Sequence, residues 1–504
     1  MARRTGTPKG FDPTILDRTV IAIPLLDKIE QEEKEAAAAR RKKVDRPPAV
    51  FPLIIDLNLN YPGGRRDAEA QILRWIRQAV QDKGDATVPQ GIHRPKTQIS
   101  NQYVFAELEA RVIQELARLN HEAAERPIFR IWPDFEIGPQ LTRSIITVKA
   151  DAARISFSAA GDGIVWAVLD SGIQGDHPHF AAHKNLDLPP PLRHRDFTCL
   201  NDDEQPLVDA FGHGTHVAGI VAGEVADGAR AGIRRATRQR DENGQVTLRV
   251  DPLAAISGVA PKCKLLSLKV LNEKGVGLAS NLIAAIAAIQ ELNGHGRRLL
   301  VQGINMSVGY DFDPEWFACG QSPLCVEVDR LVRSGVVVVV SAGNTGYGYV
   351  QAQGSAAPTR AGLDMTITDP GNADLAITVG SAHRDMPHVY GVSYFSSKGP
   401  TGDGRVKPDL VAPGEKIISC AAGKKRDALK AKDSEAEYME DSGTSMAAPH
   451  VSGAIAAFLS IRQEFIGRPE QVKQVFCSTA TDLKRDRYFQ GCGLVDLMRA
   501  IQSV

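Results

Sequence analysis

Apolar positions along the chain follow two different rhythms. Over the first third they come in short, mixed segments. Val50 to Leu57 alternates as a strand, Ala68 to Val80 repeats as an amphipathic helix, Tyr103 to Leu119 runs from a strand tip into a second helix, and Ile128 to Trp132 is another strand. A small α+β domain over residues 49–140 follows from that order. Ahead of it, in residues 1–48, Lys28 to Lys43 is charged and alanine-rich. Its acids (Glu30, Glu32, Glu33, Glu35) precede its bases (Arg40, Arg41, Lys42, Lys43), which suits the dipole of a solvated helix ended by Pro47-Pro48. Beyond residue 141 the rhythm changes to unbroken apolar runs, Ile164 to Leu169 and the five valines Val336 to Val340, which read as buried parallel strands. Small-residue helices begin near His213 and Ser445. Residues 141–504 therefore form an α/β domain, a mostly parallel sheet flanked by helices.

The candidate chemistry sits where those runs end. Gly443-Thr444-Ser445-Met446-Ala447-Ala448-Pro449-His450 puts a hydroxyl at the positively polarised start of an apolar helix. A serine is unreactive near neutral pH until a base takes its proton. Phe211-Gly212-His213-Gly214-Thr215-His216 supplies a histidine flanked by glycines, which let other backbone come close to the ring. The strand Ile164 to Leu169 ends in Asp170-Ser171-Gly172, so Asp170 lies at the C-terminal edge of the sheet, where open α/β folds place their sites. The valine strand runs into Ser341-Ala342-Gly343-Asn344, and Asn344 offers an amide to a developing oxyanion.

In that order and context these motifs resemble the subtilisin-like serine proteases, the subtilases of peptidase family S8. The resemblance covers roughly residues 142 to 504 and includes Gly258-Val259-Ala260-Pro261, Ile304-Asn305-Met306-Ser307-Val308-Gly309 and Lys407-Pro408-Asp409-Leu410-Val411-Ala412-Pro413-Gly414. It implies a serine endopeptidase with Asp170, His213 and Ser445 as the triad and Asn344 in the oxyanion hole. The polypeptide substrate would pair with backbone at Gly275 and Gly277 and at Ser307, Val308 and Gly309. A side-chain pocket would be walled by Ser341, Ala342 and Gly343, with Thr368 and Asp369 near its base. The resemblance also implies that the N-terminal domain is an inhibitory prodomain partner in the same chain, its junction near Glu136 to Arg143 threading the site. The alternative is a protein that uses the subtilase fold to bind peptides or regulate, with little turnover.

Composition narrows the partners. Lys plus Arg and Asp plus Glu each total 60, so the formal net charge is zero and gives no electrostatic case for nucleic acid or an anionic membrane. Val20 to Leu26 is too short for a signal peptide and is broken by Pro24, and the 7 cysteines are odd and sparse, fitting reduced thiols. A cytoplasmic protein is expected. Cys263, Cys420 and Cys477 sit in apolar contexts and read as core. Cys319 and Cys325 are close enough to close a loop. His216 and His450 read as packing or polar-network residues, and His177 and His179 lack the further ligands a metal site needs. Glu224 to Ser257 is an arginine-rich insertion where several family members hold calcium. Without clustered oxygens it supports no such site, so no cofactor is expected, with structural calcium unsupported by the residues present. Lys424 to Glu440 reads as a charged, solvated loop.

Overall fold

The structure is a computed structural model that describes residues 20–41, 47–99, 102–133, 143–198, 204–226, 228, 232–240, 246–311, 318–350, 359–430 and 436–504. The chain divides into two compact units between Pro139 and Gln140.

In the first unit, strand Val50–Leu57 pairs antiparallel with Tyr103–Glu109 on one side and Ile128–Pro133 on the other, and Gly91–Ile92 extends the sheet beyond Tyr103–Glu109. Alternation sends Leu53, Ile55 and Leu57 to the same buried face as Val104, Ala106 and Leu108. Ala68, Ile72, Ile76 and Ala79 of helix Gly64–Lys83 and Val112, Ile113 and Leu116 of helix Ala110–Glu122 complete that core. The charged N-terminal segment forms the helix its composition suggests and is solvated along most of its described length, but it is also docked. Helix Ile23–Arg41 buries Leu25 and Ile29, one turn apart, in the same core, and the backbone just before it hydrogen-bonds to Ile131 on both its N–H and its carbonyl. Two apolar residues at i, i+4 outweigh the charge around them.

The second unit is built on a seven-stranded parallel sheet, ordered Leu410–Pro413, Ile377–Ala382, Val337–Ser341, Gly303–Met306, Val165–Asp170, Lys264–Lys269 and Arg195–Asp196. The unbroken apolar runs are explained by burial on both faces. Trp166, Val168, Val337 and Val339 point into one core, shared with helix Thr444–Ile461. Their neighbours Val165, Ala167, Leu169, Val338 and Val340 point into another, against helices Ala279–Leu292 and Pro323–Arg333. Strand order reverses between Val165–Asp170 and Gly303–Met306, which opens a crevice at the C-terminal edge there. Helix Thr444–Ile461 is long and apolar enough to cross a membrane, but every residue from Met446 to Leu459 is buried, so it is a core helix.

The arginine-rich insertion and the segment read as a charged, solvated loop turn out to be ordered together. Arg234–Arg240 and Val246–Pro252 form an antiparallel hairpin, and the later insertion supplies helix Gly423–Lys430 and strand Tyr438–Asp441. With Ile417–Cys420 these make a four-stranded sheet in which Tyr438 and Met439 pair with Arg235 and Ala236. Cys263 and Cys420 are buried, whereas Cys477 is partly exposed and its thiol hydrogen-bonds to Cys492. Cys319 and Cys325 are both free thiols.

Candidate active site

Asp170 ends strand Val165–Asp170 and is buried at 1% exposure, so its carboxylate needs partners. His213 Nδ1 lies 2.8 Å from Oδ1 and 3.0 Å from Oδ2, and the Ser171 N–H donates to Oδ1 at 2.8 Å. Close approach of the His213 helix depends on Gly214: a Cβ there would stand 2.2 Å from the Gly172 carbonyl oxygen and 3.0 Å from Asp170 Cβ. Burial pushes the His213 pKa down, but the Asp170 charge and hydrogen bond more than offset it, and the net shift is upward. The carboxylate also fixes the tautomer, with the proton on Nδ1 and Nε2 left as the acceptor.

Behind this pair stands a residue the sequence reading passed over. Asp209 is fully buried; one carboxylate oxygen accepts from Ser171 Oγ (2.8 Å) and the Gly212 N–H (2.7 Å), the other from the Thr215 N–H (2.8 Å) and Thr215 Oγ1 (2.6 Å). Ser171 Oγ in turn accepts from the Gly214 N–H at 2.9 Å. One carboxylate therefore ties the residue after Asp170 to the residues on both sides of His213. The only sequence signal was an aspartate four positions before a histidine in a polar stretch.

Ser445 is the second residue of helix Thr444–Ile461. Pro449 has no N–H to give the Ser445 carbonyl four residues back, and Ser307 Oγ takes that acceptor instead at 3.0 Å. The Ser445 hydroxyl donates to the Ser307 carbonyl at 3.1 Å. Ser307 itself follows strand Gly303–Met306 and is held from below, because buried Asn305 donates to its Oγ (2.9 Å) and accepts from Ser452 Oγ (2.8 Å). These bonds fix the nucleophile helix to the crevice strand.

Asn344 comes three residues after the end of strand Val337–Ser341. Its Oδ1 accepts from the Thr444 N–H (2.9 Å) and Thr444 Oγ1 (3.1 Å), which orients the amide and leaves Nδ2 as the outward donor. A Cβ on Gly443 would stand 3.5 Å from Asn344 Nδ2 and 3.7 Å from the Ser445 nitrogen. The empty space beside Gly443 thus has two donors aimed at it, as an oxyanion site requires.

The other expected residues fall around this centre. Gly275 and Gly277 lie in an irregular segment whose Val276 and Leu278 are exposed at 61% and 69%, and Ser307, Val308 and Gly309 form the backbone leaving the crevice strand. Ser341 and Ala342 are buried, and the Thr368 N–H donates to the Ala342 carbonyl at 3.1 Å. Thr368 also reaches under Gly343, where a Cβ would meet its Oγ1 and Cγ2 at 2.8 Å. Asp369 is not at the surface. It is 1% exposed and its Oδ1 accepts from Asn372 at 2.8 Å. His177, His179, His216 and His450 are buried and hydrogen-bonded to the carbonyls of Glu437, Gly219, Met439 and Met446 respectively. Among the described residues no group of His, Cys, Asp and Glu has the arrangement to hold a metal, and in the arginine-rich hairpin the Asp251 carboxylate is taken by Arg249 and Arg235.

Comparison with known proteins agrees with this geometry. The family model for the subtilase family matches residues 161–494. The serine protease AprX of Bacillus subtilis is 29% identical over 363 residues, 70% of this chain and 69% of AprX. Pyrolysin of Pyrococcus furiosus is 32% identical over 333 residues, 58% of this chain but 21% of pyrolysin. Subtilisin E of Bacillus subtilis is 25% identical over 441 residues, 87% of this chain and 92% of that protein. With a parallel sheet whose C-terminal edge gathers an aspartate-held histidine, a helix-borne serine and an outward amide, the chain belongs to the subtilases and is a serine endopeptidase.

Proposed function

We propose that Ser445 is the nucleophile that attacks the peptide carbonyl while His213 Nε2 takes its proton, that Asp170 stabilises the imidazolium formed, and that His213 then protonates the leaving amine. The observation that carries this reading is the clamp between Asp170 and His213, two oxygens within 3.0 Å of one ring nitrogen, which leaves Nε2 as the basic one. Before attack, Ser445 must turn its hydroxyl from the Ser307 carbonyl towards His213. That rotation frees the Ser307 carbonyl to accept from a substrate N–H, so docking of the peptide and activation of the nucleophile favour each other. Asn344 Nδ2 and the Ser445 N–H hold the tetrahedral oxyanion. No metal is assigned a part in these steps. The free thiols of the described cysteines support a reducing compartment such as the cytoplasm.

The first unit acts as an inhibitor of the second in this reading. Its four-stranded sheet with packed helices, its position ahead of the catalytic unit, and an alignment with subtilisin E that spans more of the chain than the catalytic unit supply the support. Residues 134–142, which contain most of the expected junction, lie outside the described residues. Intact-mass measurement of the purified chain beside Ser445→Ala, at several concentrations, tests both parts. Loss of a fragment ending near residues 136–143 in the wild type alone, at a rate independent of concentration, is the expected result. Full-length protein in both, with added peptide cleaved at full rate, would rule the inhibitory role out.

A further inference from the structure

The two insertions that build the four-stranded sheet also build a groove of about 370 Å³ beside the catalytic base. Its apolar lining includes Phe211, Leu248 and Leu429, and its basic side chains are Arg238, Lys424 and Lys425; among the described residues no acid lines it. The floor rests on a small core of its own, separate from the two main cores, in which Ala236 and Leu248 of the hairpin meet Leu429 and Met439 of the later insertion.

The groove is fixed to the active site by four contacts. The Phe211 ring lies 6.4 Å from the His213 ring, centroid to centroid, at 41°. The same Phe211 ring packs so closely on Gly275 that a Cβ there would be 2.5 Å away. The Lys424 N–H donates to the Ala210 carbonyl at 2.9 Å, and Lys424 Nζ donates to the Glu273 carbonyl at 2.7 Å. Helix Gly423–Lys430 is thereby tied both to the segment before His213 and to the segment expected to pair with substrate.

The charge on this groove is uneven. Lys425 is neutralised by Asp441. Lys424 donates a hydrogen bond to a neutral carbonyl, which leaves its positive charge uncompensated, and neither it nor exposed Arg238 has a carboxylate within ion-pair distance among the described residues. A chain with zero net charge thus presents, around an apolar floor, two cations that have no carboxylate partner among the described residues.

We propose that this groove is an accessory substrate site that takes an acidic residue, with an apolar neighbour, from the polypeptide close to the bond being cut. The apolar floor favours a peptide over a phosphate backbone, because Phe211, Leu248 and Leu429 gain only from covering by carbon. The proposal rests on the serine endopeptidase reading of the adjoining site. It adds a substrate class: segments rich in Asp or Glu interleaved with apolar residues.

The test uses internally quenched peptides of one cleavable sequence, with Glu or Gln placed in turn at each of the four positions on either side of the scissile bond. Wild-type full-length chain and Arg238→Glu are compared by the Glu-to-Gln ratio of kcat/KM. At one or two adjacent positions the wild type should prefer Glu by about three- to fivefold at low salt, with the preference shrinking at high salt. Arg238→Glu should bring that ratio to one or below. Anisotropy titration of the same labelled peptides with full-length Ser445→Ala reads the preference as binding, independently of turnover. A ratio of one at every position in both assays, or a ratio untouched by Arg238→Glu, would overturn the proposal. If Glu-selective binding persists while turnover stays absent even after the N-terminal unit has been removed, the groove stands and the catalytic assignment falls. Equal competition by a single-stranded DNA oligomer would overturn the peptide assignment.

Discussion

Replacing Asp209 by alanine should damage both stability and catalysis, and its four hydrogen bonds let each be sized. When the carboxylate goes, the hydroxyls of Ser171 and Thr215 can turn to other acceptors. The backbone N–H groups of Gly212 and Thr215 cannot, and they are left in a site with no exposure. A stranded buried donor costs roughly 1 to 3 kcal/mol, so two cost about 4 kcal/mol. Part of this is offset because burial raises the Asp209 pKa, a sign that the fold already bears a penalty for holding the charge. A net loss of about 3 kcal/mol is expected. Asp209→Asn keeps the shape and one acceptor but sets an N–H₂ against the donors on one side, so about half that loss is expected. Urea unfolding in a Ser445→Ala background, which prevents self-digestion, measures these values. In active enzyme the same change loosens the backbone on both sides of His213, and misplacement of the base by about 1 Å costs roughly 10²-fold in rate. The loss should fall on kcat more than on KM. A stability change under about 1 kcal/mol together with an unchanged kcat would refute the bracing role.

The oxyanion site makes a sharper distinction between fold and function. Gly443 has φ 161°, an extended conformation open to any residue, so Gly443→Ala should leave stability nearly unchanged. Its methyl would intrude near both donors, and kcat should fall by about 10² to 10³, comparable with Asn344→Ala. Because the Asp170 carboxylate raises the His213 pKa, the acid limb of kcat/KM should have its midpoint above pH 6.5, and Asp170→Asn should abolish that upward shift; a midpoint below 6 would contradict the clamp. Burial pushes His177 and His450 down to about 4 and His179 to about 3, with His216 also lowered. The unfolded chain protonates these rings below pH 6.5 while the folded one does not. Stability from them is therefore full above that pH and is lost as pH falls towards 4, by about 1.4 kcal/mol per pH unit for each ring. Stability measured in urea between pH 7 and 5 should drop steeply, and a flat profile would show that these rings are not held neutral.

The sequence and the structure meet most closely where one short segment decides the chemistry. Asp170, His213, Asn344 and Ser445 each follow a local signal, an apolar strand that ends or a small-residue helix that begins, and the fold brings those ends to one edge of the sheet. Thr368 follows no such signal and was placed by the family resemblance alone. Asp209 was not legible, because its burial depends on Ser171, which arrives from another strand end. The order in the two insertions was not legible because Arg234–Arg240 has no apolar alternation; its strand is held by pairing with Val246–Pro252 and with Tyr438 and Met439, some two hundred residues later. The N-terminal helix was read as solvated, and its many charges hid the two residues, Leu25 and Ile29, that dock one side of it.

The most direct test of the account is covalent capture by a serine-directed phosphonate, with the adduct located by peptide mapping. The account predicts a single adduct on Ser445, formed more slowly as pH falls through the His213 pKa, slowed strongly by Asp170→Asn and absent from Ser445→Ala. Peptide turnover that survives in Ser445→Ala, or an adduct on another serine in the wild type, would contradict it.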